Sequence, residues 1–354
     1  MSRRDIYYWK CDRPAAFHGT QTRGDAGASV EQPLREALCS HFHTQAVDLS
    51  AGAGQGNHLT WNARVDGIPM FVRVENGPEK DGQLAIESSV INQVRGTGVI
   101  TPRVHGFDAT RTRVPFAWQA LEKITSPDLN HWFKQGTLDI PRIAFDIGAA
   151  VATWQTLSFP GFGPLDGGLR GYHSTYAGYF HLRLDEHLSF LVNRGFLTAS
   201  QRQDIATEVE NHRSLLDLDT GCFVHKDLAL WNILGGENHI AAFIDFDDSI
   251  CGDPLDDLSL LACFHDTAFL TRAFEGYASA RPLPSNHLRR FWLHLLRNMI
   301  VKSVIRVGAG YFDRDDGFFL ITSGSSGSSL REMTLSRLAL ALNGLRNEST
   351  IDIL

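Results

Sequence analysis

The segment His225-Lys226-Asp227-Leu228-Ala229-Leu230-Trp231-Asn232 spaces a histidine, an aspartate and an asparagine as H-x-D-x4-N. Thirteen residues beyond Asn232, at the end of an apolar run, comes Asp245-Phe246-Asp247. These residue types suit phosphoryl transfer. That reaction asks little covalent chemistry of a protein: a carboxylate must orient the attacking hydroxyl and take its proton, and oxygen ligands must hold a divalent cation against the phosphates. Asp227 can be the base. Asn232 and Asp245 can supply the one or two protein oxygens that Mg2+ takes, the rest coming from phosphate and water. His225 would then support the loop. An ordinary polar turn between two strands is the competing account of Asp227 and Asn232.

The elements that must position these residues can be read in outline. The apolar runs at 222 to 224, 233 to 234 and 240 to 244, with the turn Gly235-Gly236-Glu237-Asn238, predict a short β-hairpin with the candidate residues at its edges. Gly252-Asp253-Pro254-Leu255-Asp256-Asp257-Leu258 then reads as a helix start, with Asp253 as N-cap and Pro254 at the first helical position. Asp257 is placed to brace the catalytic loop as well. Upstream, β-like runs at 59 to 65, 70 to 74 and 116 to 121, a turn at Asp66-Gly67 and one helix over 84 to 94 predict a small β-rich lobe. A short helix over 30 to 42 precedes it, and residues 1 to 30 read as an irregular or loosely docked extension. After Glu122 the pattern is helical: Ile143, Ile147, Val151, Trp154 and Leu157 share one face, as do Leu288, Phe291, Trp292, Leu295, Leu296, Met299 and Ile300. Residues 323 to 329 read as a Ser/Gly-rich connector to a last helix over 333 to 345.

Composition narrows the function. The formal net charge is -7 and the 33 Lys and Arg are scattered, so a nucleic-acid partner lacks its usual footprint. Five cysteines without C-x-x-C spacing suggest free thiols rather than disulfides or zinc. No run approaches 18 apolar residues and the first 30 residues hold no signal-like apolar core, from which a cytoplasmic location and no membrane partner are expected.

Taken in order, H-x-D-x4-N, Ile244-Asp245-Phe246 and Gly252-Asp253-Pro254-Leu255-Asp256-Asp257-Leu258 resemble the hallmark of the aminoglycoside phosphotransferase and choline kinase superfamily. The resemblance covers about residues 45 to 265 and implies an α+β, protein-kinase-like bilobal fold. Residues 1 to 122 would be a β-rich nucleotide-binding lobe, and 123 to 354 a mainly helical catalytic and substrate-binding lobe. It implies Asp227 as base, with Asn232 and Asp245 on magnesium. Gly52-Ala53-Gly54-Gln55-Gly56-Asn57 resembles the family's nucleotide loop, so Gly52, Gly54, Gly56 and Asn57 would approach phosphate. Arg73 sits where the family places its phosphate-contacting cation, with Glu87 as its acidic partner, and Glu122, Lys123 and Ile124 align with the hinge that pairs with adenine. ATP is the implied donor, GTP the alternative. Pro160-Gly161-Phe162-Gly163-Pro164 with Tyr172 and Tyr176 resembles aminoglycoside and sugar kinases, hygromycin phosphotransferases among them. The implied partner is a small-molecule hydroxyl compound: an aminoglycoside, amino sugar or related polyhydroxyl. Choline, ethanolamine, homoserine or another small metabolite is the alternative acceptor, and an inactive nucleotide-binding module the alternative class. Monomer and homodimer stay open, as do roles in antibiotic resistance, biosynthesis and metabolism.

Overall fold

The computed structural model describes residues 2–12, 26–52, 58–76, 80–314 and 326–354. A one-turn helix α1 (Trp9–Asp12) and helix α2 (Ala26–Phe42) precede strands β1 (Val47–Ala51), β2 (His58–Val65) and β3 (Ile68–Glu75). Helix α3 (Gln83–Gly96) and strands β4 (Val104–Asp108) and β5 (Trp118–Glu122) follow, and the strands form one antiparallel sheet of order β1-β2-β3-β5-β4. Asp66 and Gly67 have φ of 49° and 80°, the left-handed pair that a tight two-residue hairpin requires. Period-2 alternation puts Trp61, Ala63, Val65, Val72 and Val74 on one face, packed with Leu34, Ala37 and Leu38 of α2. The other face carries Arg73 and Gln119 toward α3, where Gln119 Nε2 donates to Ser88 Oγ at 2.9 Å.

Beyond Glu122 the chain runs through α4 (Leu129–Gln135), α5 (Ile140–Trp154), β6 (Phe162–Leu165), β7 (Gly171–His173), α6 (Tyr176–Phe180), α7 (Leu184–Asn193) and α8 (Ala199–Asn211). Strands β8 (Cys222–Val224), β9 (Ile233–Gly236), β10 (His239–Phe243) and β11 (Ile250–Gly252) come next, then α9 (Asp256–Leu261), α10 (Thr267–Ala280), α11 (His287–Gly308) and α12 (Gly327–Asn347). Gly148 of α5 and Gly276 of α10 let the two helices touch backbone to backbone. A Cβ at Gly148 would lie 1.8 Å from Ala273 O, and one at Gly276 1.9 Å from Phe145 O. Helix α11 is buried on nearly every side, as a helix through the middle of a large core must be.

Several expectations need correction. β9 and β10 form the hairpin, but β8 leaves it and pairs with β11 in a second sheet of order β7-β6-β11-β8. The pairing of Val224 with Ile250 is non-local, so no window along the chain reveals it. β1 and β4 went unread because polar residues interrupt both, and β5 begins at Trp118, two residues late. Helix α9 starts at Asp256 with Leu255 as its N-cap; Asp253 instead accepts from Leu255 N at 2.9 Å and pairs with Arg290 at 3.1 Å. α2 begins at Ala26, and α12 begins inside the expected connector, capped by Ser326, whose side chain accepts from Ser329 N. The largest correction concerns the N-terminus. Residues 2–12 are docked, with Ile6, Tyr7, Tyr8 and Trp9 all buried, because four consecutive apolar side chains gain too much by leaving water to stay loose. The five cysteines are unpaired, and no described helix is long and apolar enough to cross a membrane.

Candidate active site

The loop after β8 is fixed by Asp257. Its carboxylate accepts His225 N and Lys226 N, both at 3.0 Å, and the Trp154 indole N–H at 3.2 Å. Burial pushes this carboxyl up to about 6, with His225 and the backbone donors pulling against it. Lys226 has φ 69°, a left-handed conformation costly for a residue with a Cβ and found most at functional sites. Its ammonium pairs with Asp256 at 2.7 Å. His225 ties the loop to the strand end that carries Asp245: Nδ1 accepts Asp227 N at 3.3 Å, so Nε2 donates to Ile244 O at 3.0 Å. Its ring lies 4.7 Å from that of Phe246.

Asp227 is buried and surrounded by donors. Asn232 Nδ2 donates to its backbone O at 2.8 Å and to Oδ2 at 3.1 Å. Three more donors come from residues the sequence reading did not connect with the site: Tyr8 OH reaches Oδ1 at 2.7 Å, Lys10 Nζ reaches Oδ2 at 2.8 Å, and Lys302 Nζ reaches Oδ1 at 3.3 Å. Burial opposes the charge of Asp227, yet Lys10, Lys302 and the Tyr8 hydrogen bond hold its carboxyl well below the ordinary range. The run Ile6-Tyr7-Tyr8-Trp9 was the available signal that residues near the N-terminus belong to an interior. For Lys302 the signal was a lysine set among Met299, Ile300, Val301, Val304 and Ile305, one turn after Asn298, whose amide donates to Asp256 Oδ1 at 2.9 Å.

A second cluster adjoins the first. Arg73 Nη1 bonds Glu87, and Nη2 bonds Asp245 Oδ1 at 3.1 Å, so one guanidinium joins strand β3, helix α3 and the Asp245 turn. Burial works against the charge on Arg73, but Glu87, Asp245 and Asp247 more than offset it and raise its pKa. Burial likewise pushes Glu87 up, to about 7, with Arg73 opposing. Asp245 takes φ 64°. Asp247 pairs with Arg3 at 3.3 Å. Gly52 N donates to Thr60 O at 2.9 Å, and a Cβ there would lie 2.6 Å from Thr60 Oγ1, so a larger residue would force the Thr60 side chain to shift. Gly54, Gly56 and Asn57 lie outside the described residues. Glu122 closes β5 with N bonded to Arg103 O at 2.8 Å, and Lys123 and Ile124 lead away from the sheet toward the helical part. Tyr172 and Tyr176 flank the start of α6, where Tyr176 is buried. The structure thus joins His225, Asp227 and Asn232 in one cluster and Arg73, Glu87 and Asp245 in its neighbour.

Residues 49–289 match the model of the phosphotransferase enzyme family, more than half of the chain. The chain belongs to that family. It is a small-molecule phosphotransferase with the family's protein-kinase-like fold. Solved structures agree on the fold. Aminoglycoside phosphotransferase APH(4)-Ia superposes with a TM-score of 0.61 at 13% identity, over 88% of this chain and 98% of the other. A thermostable mutant of it, in a ternary complex with ADP and hygromycin B, gives 0.62 at 14% over the same shares. Macrolide 2'-phosphotransferase MphH from Brachybacterium faecium gives 0.53 at 14%, over 86% of this chain and 97% of that one. No curated protein matches by sequence. The family match takes in both clusters but stops short of Tyr8, Lys10 and Lys302, three of the donors on Asp227.

Proposed function

We propose that this phosphotransferase moves the γ-phosphoryl group of ATP to a hydroxyl of an aminoglycoside, amino sugar or related polyhydroxyl compound, with Asp227 as the base. One observation carries the reading. The buried Asp227 carboxylate takes a hydroxyl from Tyr8 and ammonium groups from Lys10 and Lys302, the donor pattern that an amino alcohol would bring. A similar solved enzyme holds ADP and hygromycin B. On the nucleotide side Arg73, fixed by Glu87, would meet phosphate, bidentate where a lysine would be a point charge. Gly52 and its neighbours Gly54, Gly56 and Asn57 would approach the phosphates, and the backbone of Glu122, Lys123 and Ile124 would meet the base.

Asn232 and Asp245 suit Mg2+. Asn232 turns its amide nitrogen to Asp227, which leaves its oxygen for a cation, and Asp245 offers a carboxylate 36% exposed. Burial pushes nearby Asp248 up to about 7, with Asp247 and Asp227 adding to the effect against Lys10, a crowding of carboxylates that a divalent ion relieves. Bound there, the ion would neutralise phosphate charge. His225 would hold the loop, and Asp227 would orient the acceptor hydroxyl and take its proton.

The test is ADP release with ATP or GTP across aminoglycosides, amino sugars, choline, ethanolamine and homoserine. Turnover is expected with an amino sugar or aminoglycoside, and Asp227→Asn is expected to lower it about 10²- to 10⁴-fold, the usual worth of a general base, while nucleotide binding persists. Undiminished turnover in that variant removes Asp227 from the role.

A further inference from the structure

The proposed reaction leaves residues 2–12 without a role, although they lie on its central residue. The segment is clamped at both ends. Arg3 bonds Asp81 at 2.8 Å and Asp247 at 3.3 Å. Asp12 Oδ2 accepts Tyr7 N at 2.8 Å and Tyr8 N at 3.0 Å, and Oδ1 meets His187 Nε2 at 2.6 Å. Between the clamps, Tyr7 stacks on Tyr179 at 4.8 Å, with the Arg297 guanidinium 3.6 Å from the Tyr7 ring centroid, and Tyr179 OH donates to Tyr7 O at 2.8 Å. These contacts fix Tyr8, which is 3% exposed, with its hydroxyl 2.7 Å from Asp227 Oδ1. A hydroxyl at hydrogen-bond distance from the base is what an acceptor must present. One held there by the fold reacts with the high effective concentration of an intramolecular group.

We propose that Tyr8 is an internal phosphoryl acceptor, phosphorylated by its own chain when nucleotide is bound and no small molecule displaces the segment. The inference rests on the reading of Asp227 as base. A bond forms between Tyr8 Oη and the γ-phosphorus, the bond from that phosphorus to the bridging oxygen breaks, ADP leaves with the electron pair, and the phenolic proton passes to Asp227. Two cations stand ready for the product. Lys302 Nζ lies 5.1 Å from the Tyr8 ring centroid, and Lys10 Nζ shares the same carboxylate. The side chains of Lys10 and Asp245 are 35% and 36% exposed, so the cluster opens to solvent beside the candidate metal ligand.

The experiment incubates the full chain with ATP and magnesium chloride, reads intact mass, and maps the phosphate by peptide sequencing. One phosphoryl group per chain on Tyr8 is expected. Its rate per molecule should stay constant over a tenfold dilution, and it should be lost in Tyr8→Phe and lowered at least a hundredfold in Asp227→Asn, with thermal melts verifying that both variants fold. No phosphate on Tyr8, phosphate on another residue instead, or a rate that scales with protein concentration overturns the inference. The acceptor panel run in parallel keeps the two readings apart. Turnover of a small molecule without phosphate on Tyr8 leaves the proposed function standing and removes only the internal acceptor, and phosphate on Tyr8 that survives Asp227→Asn removes the base.

Discussion

At the scale of single residues, the site depends on groups that never touch a reacting atom. Asp257 gathers the backbone N–H groups of His225 and Lys226 and the Trp154 indole, all buried. Each buried donor left without a partner costs about 1 to 3 kcal/mol. Asp257→Ala is therefore expected to lower stability by about 3 kcal/mol or more, read as a shift in the urea midpoint. Turnover should fall with it, because the loop that aims Asp227 loses its fixed point. Asp257→Asn, which keeps one acceptor oxygen, should lie between. The sequence placed Asp257 beside the loop but could not say that it serves three donors, since Trp154 is over a hundred residues away along the chain.

At the scale of elements, the contact of α5 with α10 sets where Trp154 ends up, and hence where Asp257 is held. Gly148 and Gly276 make that contact by bringing backbone to backbone. An added methyl has no flexible side chain to push aside. Overpacking a well-filled core costs about 1 to 3 kcal/mol and occasionally more, so Gly276→Ala should lower the melting temperature and cost about 3 kcal/mol. Scanning calorimetry checks this, and a neutral outcome would mean that the two helices can slide apart. Helical periodicity marks α5 in the sequence, whereas α10 appears only in the structure. Which glycine faces which carbonyl did not follow from it, because that depends on the crossing of two elements.

At the scale of the whole molecule, the core stores acid sensitivity. His265 stacks on Phe269 at 3.9 Å and meets Phe133 edge-on at 5.6 Å. Burial lowers its pKa from 6.5 to about 3, with Asp266 opposing and Arg337 adding to the shift. His187 and His58 are displaced in the same direction, chiefly by burial. A depressed folded pKa means that the unfolded chain binds the proton first. The contribution of His265 is therefore fully present above pH 6.5 and is lost as pH falls toward about 3, with a slope of up to about 1.4 kcal/mol per pH unit. Denaturant midpoints measured from pH 7 to pH 4 should decline, and His265→Phe should flatten the decline.

What the sequence by itself determined was the chemistry and its local frame. Fixed spacings hold whatever the fold, and a hairpin turn between Asn232 and Asp245 needs only neighbouring residues to form. Arg73 with Glu87 as its acidic partner, and Asp245 by itself, could be named from motif and resemblance. Only the tertiary structure decided that Asp245 joins the same guanidinium, that β8 leaves the hairpin for β11, and that Lys302 reaches Asp227. It also decided the place of residues 2–12, whose buried run Ile6-Tyr7-Tyr8-Trp9 has no periodicity to announce it and whose partners Asp227 and Tyr179 lie more than 160 residues away. Local propensity encodes turns, strands and helix faces; contacts between distant segments exist only once the core has closed around them.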